Sequence, residues 1–226
     1  MPKCGSSALQ SAFSDNPILE ASDGRKVKYV AIRGDAEVLS GEKLRHLAML
    51  SAVGYIPSVQ VKVLSAFSQR KINKVKKQLR ELASDGSLLI MSNEAWGNQY
   101  SQFTECNFLQ KLELNIDVVM YVRPQVEWFN SAWWQWGAWS DRTLNRWVSA
   151  HEHKVRWFDT YQGWLSVASV DKVSVRLLPK DILSDFYTLI NVSHQKYLKQ
   201  IKAFLLHYLG CFKKTVPFEK PPTALL

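Results

Sequence analysis

The sequence predicts an α/β fold, a three-layer α/β/α sandwich with helices on both faces of a mostly parallel central sheet. Three observations carry this. Apolar-rich runs at residues 88–91, 117–122 and 173–178 have the character of strands buried on both faces. Stretches with helical periodicity separate them, and strands alternating with helices give α/β architectures. The 226 residues are 46% hydrophobic and 22% charged, which suffices to bury one substantial core around such a sheet.

Taken in order, residues 6–16 read as a first helix behind the hydroxyls of Ser6 and Ser7. Asp23-Gly24 marks a turn, and 27–32 is a short strand closed by Arg33-Gly34-Asp35. Residues 40–52 form a helix with Ser40 as its cap and Glu42 and Lys43 in its first turn. Gly54 and Pro57 break the pattern, and 59–64 fits a strand or irregular chain equally. Ser68 caps a helix over about 69–84, whose stripe is Ile72, Val75, Leu79 and Leu82; Asp85-Gly86 ends it. The strand at 117–122 is the clearest in the chain, and Pro124 opens the helix after it. A long aromatic helical region leads to the strand at 173–178. The tail from about Asn191 carries one amphipathic helix through Tyr197, Ile201, Phe204, Leu205 and Tyr208. No repeat or low-complexity linker divides the chain. The expectation is one domain over 1–226, with a motif-bearing region at 1–185 and a helical tail at 186–226.

The formal net charge of +9 points to an anionic partner: a nucleic acid, a nucleotide, or an acidic glycan. The densest basic run, residues 70–77, is most simply the solvated face of its helix. Cys4, Cys106 and Cys211 are odd in number and far apart, which argues against a disulfide framework or a zinc site and for a reducing compartment. There is no signal-peptide pattern and no run of eighteen apolar residues, so a cytoplasmic protein without a membrane span is expected.

In α/β folds, ligands sit at the carboxyl ends of the strands. Polar residues follow each apolar run there: Ser92-Asn93-Glu94, Arg123-Pro124-Gln125 and Pro179-Lys180-Asp181. The start of the chain, Met1-Pro2-Lys3-Cys4-Gly5-Ser6-Ser7-Ala8-Leu9-Gln10, reads as a phosphate-cradling turn running into a helix. Gly5 lets the backbone approach an anion, and the first-turn N–H groups and two hydroxyls complete the site. An ordinary serine-capped helix is the alternative. Arg123 ends a buried strand, and Ser131 lies eight residues on, inside the next helix. A guanidinium fork and a hydroxyl so placed can converge on one phosphate. Pairing of Arg123 with a carboxylate such as Glu127 is the alternative.

Pro2-Lys3-Cys4-Gly5-Ser6-Ser7 resembles the Pro-Lys-x-Gly-Ser/Thr-Ser/Thr loop of PAPS-dependent sulfotransferases. Arg123 and Ser131 resemble that family's 3′-phosphate motif, with the same spacing and a proline after the arginine. Leu89-Ile90-Met91-Ser92-Asn93-Glu94 is similar to the strand-then-Ser-x-Glu stretch of bacterial, carbohydrate-type members. The lysine precedes the glycine, unlike the Gly-Lys-Ser/Thr loop of ATPases and GTPases. The resemblance implies the P-loop nucleotide-binding architecture and 3′-phosphoadenosine 5′-phosphosulfate (PAPS) as co-substrate, with no metal. It implies that the backbone of Cys4, Gly5, Ser6, Ser7 and Ala8 and the two serine hydroxyls hold the 5′-phosphosulfate. Arg123 and Ser131 hold the 3′-phosphate, and Lys3 neutralises charge on the leaving phosphate oxygen. Glu94 is the first candidate for the base that takes the acceptor's proton, and His46 the second. In the family an apolar central strand leads into the loop. Here Met1 stands directly before Pro2-Lys3, so a sheet lacking that first strand, from a truncated or internal start, is expected.

Trp128, Trp133, Trp134, Trp136, Trp139, Trp147, Trp157 and Trp164 crowd one region. Too many lie close together for all to face inward, so part of the block packs in the core and part is free to line an acceptor groove. His151 and His153 are too close together for a helical metal pair and read as surface residues. The resemblance implies transfer of a sulfuryl group to a glycan or small hydroxylated acceptor. The rivals are a basic, tryptophan-rich nucleic-acid or polyanion binding module, in which rings stack on bases, and an inactive nucleotide-binding relative.

Overall fold

The computed structural model describes residues 4–140 and 142–193; Lys3 and the expected tail helix at 197–208 lie outside them. The chain runs α1 (Ser6–Asp15), β1 (Ile18–Glu20), β2 (Lys26–Ile32), β3 (Val38–Ser40), α2 (Gly41–Leu50), α3 (Val61–Ser65), α4 (Gln69–Ala83) and β4 (Leu88–Ile90). A 3₁₀ turn (Glu94–Asn98) leads to α5 (Tyr100–Cys106), α6 (Phe108–Leu112), β5 (Ile116–Val122) and α7 (Gln125–Ala132). A π turn (Trp133–Gly137) follows, then α8 (Leu144–His151), a second 3₁₀ turn (Glu152–Val155), α9 (Trp157–Leu165), β6 (Val170–Leu177) and α10 (Ile182–Leu189).

The fold is mixed α/β, with helices around small sheets. β2 runs parallel to β4, with Val27 opposite Leu88 and Tyr29 opposite Ile90, and β1 and β3 pair with β2 antiparallel. β5 and β6 form a separate parallel pair, from Ile116 opposite Val170 to Val122 opposite Leu177. Among the described residues β4 and β5 do not pair, so the hydrogen bonds form two sheets where the sequence predicts one.

Successive strand residues point to opposite faces, and this alternation builds two cores. Val27, Tyr29 and Ala31 of β2, Leu88 and Ile90 of β4, and Val119 and Tyr121 of β5 enter one cluster. Val30 and Ile32, Leu89 and Met91, and Val118, Met120 and Val122 enter the other. Phe13 of α1, Leu44 of α2, Trp128 of α7, Trp147 of α8 and Phe186 of α10 close the first cluster. Leu64 of α3, Val75 of α4, Phe103 of α5, Leu112 of α6 and Trp164 of α9 close the second.

Local chemistry follows the sequence in most places and departs from it in a few. Ser68 caps α4 by accepting the Lys71 N–H at 3.4 Å, and Ile72, Val75 and Leu79 are buried as expected. Most cations of α4 lie on its exposed face, as expected, and several also find partners there. Lys71 and Lys74 donate to the carbonyls of Gly34 and Asp35, Lys76 and Arg80 pair with Glu113, and Lys77 pairs with Glu81. Residues 59–64, left open between strand and irregular chain, give α3, because the Gln60 carbonyl accepts from Val63 and Leu64. Ser40 does not cap α2 with its side chain; its hydroxyl donates to the Tyr29 carbonyl at 3.3 Å.

Asp185 of α10 ties the second sheet to that helix. It accepts from Arg176 Nε at 2.6 Å and Nη2 at 2.5 Å, and from the Tyr121 hydroxyl at 2.6 Å. Arg176 first, then Tyr121, holds the Asp185 carboxyl below its ordinary value of 3.8. A group with a lowered folded pKa adds stability that is complete above its unfolded value and is lost as pH falls through the folded one. The Asp185→Asn protein should therefore melt lower than wild type at pH 7. The gap in Tm should close as the pH drops below the ordinary carboxylate range. In the first core, the Phe13 ring lies 5.6 Å from Tyr29, 5.4 Å from Phe186 and 5.9 Å from Tyr187. Phe13→Ala should cost about 3–5 kcal/mol, read from urea unfolding.

Candidate functional site

Residues that follow β4, β5 and β6 meet the start of α1. Gly5 precedes that helix with φ of 83°, a left-handed conformation that favours glycine. A Cβ there would lie 2.6 Å from Ile182 Cδ1 and 3.2 Å from Leu178 Cδ1, so the bare backbone sits directly on α10 and the residue past β6. The Gly5 carbonyl accepts from Ala8 at 3.1 Å and Leu9 at 3.3 Å. This uses the Ala8 N–H, one of the amides expected to face an anion. The Ser6 and Ser7 amides have no backbone acceptor among the described residues, as first-turn amides of a helix do not. Ser6 is half-buried and Ser7 exposed, its hydroxyl 3.5 Å from the Tyr55 hydroxyl.

Gln10, one turn further along α1, is buried and donates to Ser92 Oγ at 3.0 Å. This bond fixes α1 to the end of β4. Sequence reasoning passed over Gln10; the signal was an amide on the inward face of a helix, where only a specific partner makes it tolerable.

Cys4 is buried at the start of α1. Burial pushes the thiol pKa up; the Arg123 charge and amide oppose this, and the Glu94 carboxylate adds to it. Arg123 and Glu94 therefore each act on Cys4, although the three come from distant stretches. Arg123 is half-buried just past β5, and its carbonyl accepts from Trp157 Nε1 at 3.0 Å. Its Nε is buried without a hydrogen-bond partner among the described residues, and no ion pair joins it to Glu127. Such an orphaned donor is the feature a bound anion would satisfy.

Glu94 is half-buried at the start of its 3₁₀ turn. Asn93 fixes that turn by accepting from Ala95 at 2.7 Å and donating to the Ser58 carbonyl at 2.6 Å. Glu94 forms no ion pair among the described residues. Ser131 stands in the second turn of α7, half-buried, with no hydrogen bond to Cys4, Glu94 or Arg123. His46 lies exposed on α2 and has no bond to this cluster. His151 stacks on Trp147 at 4.3 Å with Nδ1 2.7 Å from the Trp147 carbonyl, a packing role, and His153 is exposed.

The tryptophans divide as expected. Trp128, Trp147 and Trp164 are core, while Trp134 is 63% and Trp139 83% exposed around the π turn. Trp139 Nε1 donates to the Trp134 carbonyl at 3.1 Å. Among the described residues no group of three or more His, Cys, Asp or Glu side chains is placed to hold a metal ion, and no helix is long and apolar enough to cross a membrane.

Comparison with family models, curated proteins and solved structures finds no match to this chain.

The raised pKa and burial of Cys4 set its reactivity, because the thiolate is the nucleophile. Iodoacetamide at pH 8 should label the more exposed Cys106 before Cys4, as read by peptide mass mapping.

Proposed function

We propose that the protein is a sulfotransferase that moves a sulfuryl group from PAPS to a hydroxyl of a glycan or other hydroxylated acceptor. The observation that carries this reading is Arg123, standing just past β5, with its buried Nε without a hydrogen-bond partner among the described residues. In this reading the two small sheets are parts of one three-layer, P-loop-like sandwich, because β2, β4 and β5 feed the same two cores.

The residues present fit an anionic nucleotide. PAPS supplies an activated sulfuryl group on a phosphate leaving group. Arg123 is placed to bind its 3′-phosphate through a fork of donors, with Ser131 on the following helix adding a hydroxyl. The amides and hydroxyls of Ser6 and Ser7, with Cys4 and Gly5 behind them, hold the phosphosulfate at the positive end of α1. Lys3, adjacent to Cys4 in sequence, balances negative charge on the leaving oxygen. Glu94, half-buried and without an ion pair among the described residues, takes the proton from the acceptor hydroxyl. Exposed His46 is the weaker candidate. Positioning and preorganised charge supply most of the rate enhancement in group transfer of this type.

The polyanion-binding alternative draws on the lysines of α4, but those cations are engaged with loop carbonyls and with Glu113 and Glu81.

Adenosine 3′,5′-bisphosphate, at about 100 times its Kd, should stabilise the folded protein by about 2.7 kcal/mol. Differential scanning fluorimetry should show Tm rising by about 5–10 °C. Arg123→Ala should abolish the rise. An equal rise with adenosine alone, or an unchanged rise in the variant, overturns the reading.

A further inference from the structure

β2 ends beside an open cavity whose residues have no part in the sulfuryl transfer proposed above. It measures about 350 Å³ and is lined by Arg33, Leu39, Leu47, Leu50, Ser51 and Ile56. Arg33 directly follows Ile32, the last residue of β2. Side chains alternate along a strand, so Arg33 falls on the face of Tyr29 and Ala31, toward the first core. Leu39 of β3, opposite Ala31, is a buried member of that core, and Leu47 of α2 and Ile56 pack against it. The first core thus opens to the surface here. β2 runs parallel to β4, so the opening lies at the carboxyl ends of these strands, where α/β folds bind ligands.

The mouth of the cavity is apolar. Leu50 on its wall is 71% exposed, and its near neighbours in the chain, Met49 and Val53, are 71% and 61% exposed. Exposed apolar side chains gathered in this way mark binding surfaces. The one charged side chain of the lining is uncommitted. The Arg33 backbone is fixed, donating to the Glu37 carbonyl at 2.8 Å and accepting from the Ala36 N–H at 3.0 Å. Its guanidinium donates no hydrogen bond among the described residues. Its ion pair with Asp35 spans 3.9 Å from Nε to Oδ1, too long for a hydrogen bond. The fork of donors is therefore open. Ser51, by contrast, is engaged: its hydroxyl donates to the Tyr55 carbonyl at 3.2 Å and accepts from the Val53 N–H at 3.3 Å.

We propose that this cavity binds a small amphiphilic monoanion, an aliphatic chain or ring that ends in one carboxylate. The apolar body lies against Leu39, Leu47, Leu50 and Ile56. The carboxylate takes the Arg33 guanidinium, whose planar fork matches its two oxygens. The lining selects this occupant. A neutral apolar ligand would cover the guanidinium and leave its donors unpaired, which costs free energy. A phosphate dianion would face the Asp35 carboxylate beside the guanidinium, and the repulsion grows with the charge of the head group. The volume falls in the range of small-molecule sites. The proposal rests on the cavity alone and stands apart from the sulfotransferase reading.

Methyl NMR on the full chain tests it, with octanoate as probe. The Leu39, Leu47, Leu50 and Ile56 methyls should shift and saturate, with a Kd of about 1 mM or tighter. Octan-1-ol, which keeps the body and lacks the charge, should bind the wild-type protein about tenfold or more weakly. Arg33→Ala should weaken octanoate by a similar factor and leave octan-1-ol unchanged. Leu50→Glu, at an exposed position, should also weaken octanoate by placing a negative charge at the mouth. Wild-type shifts away from the cavity show that each variant is folded. The comparison of octanoate with octan-1-ol on the wild-type protein needs no variant at all. Failure to saturate by about 10 mM, shifts confined to other methyls, equal binding of the two probes, or unchanged octanoate binding in either folded variant would each overturn the proposal.

Discussion

The lack of a side chain at Gly5 sets where everything at the strand ends can stand. With φ of 83°, the backbone turns into α1 at a point where any side chain would have to push aside the tips of Ile182 and Leu178. A left-handed conformation alone costs other residues about 1–2 kcal/mol. From that fixed start, α1 delivers Gln10 to Ser92 and Phe13 to the aromatic cluster of Tyr29, Phe186 and Tyr187. The loop and the first core are thus parts of one packing arrangement. Asp181 holds the other side of it by capping α10, accepting the Ser184 N–H at 3.0 Å.

The two cores explain the alternation of helices and strands. β2 and β5 carry apolar residues at successive positions, so each strand needs a helix on both faces. Fully burying one valine or leucine stabilises the fold by about 1.5–3 kcal/mol, and the strands contribute many such groups at little sequence length. The cations of α4 contribute differently. Lys71 and Lys74 bridge to the β2–β3 turn through Gly34 and Asp35, which fastens the helix over the second core.

Much of this was legible in the residues. The strands 26–32, 88–90 and 116–122 and the stripe of α4 fall where apolar pattern and punctuation place them. β1 and β3 were not, because three residues are too few for periodicity and both are held by pairing with β2. The split of the sheet was not legible from strand composition, since apolar strands do not say which edges pair. At the site, the placement of Arg123 just past a strand end and of Glu94 just past another could be read from the sequence. The company Cys4 keeps, and the role of Gln10, depend on contacts between distant segments and could not. That residues 70–77 present a mostly solvated face was legible; the loop carbonyls that Lys71 and Lys74 reach were not, because such acceptors leave no mark in composition.

The parallel pairings also govern how the chain reaches this state. Val27 meets Leu88, and Ile116 meets Val170, across long connections that contain helices. Such long crossovers close late, since loop entropy must be overcome before the contacts reward it. Until then the aliphatic segments 88–91 and 116–122 are bare, with high β propensity and little charge. The nascent chain therefore has a window for intermolecular association. Chaperone supply and growth temperature would accordingly govern the yield of folded protein.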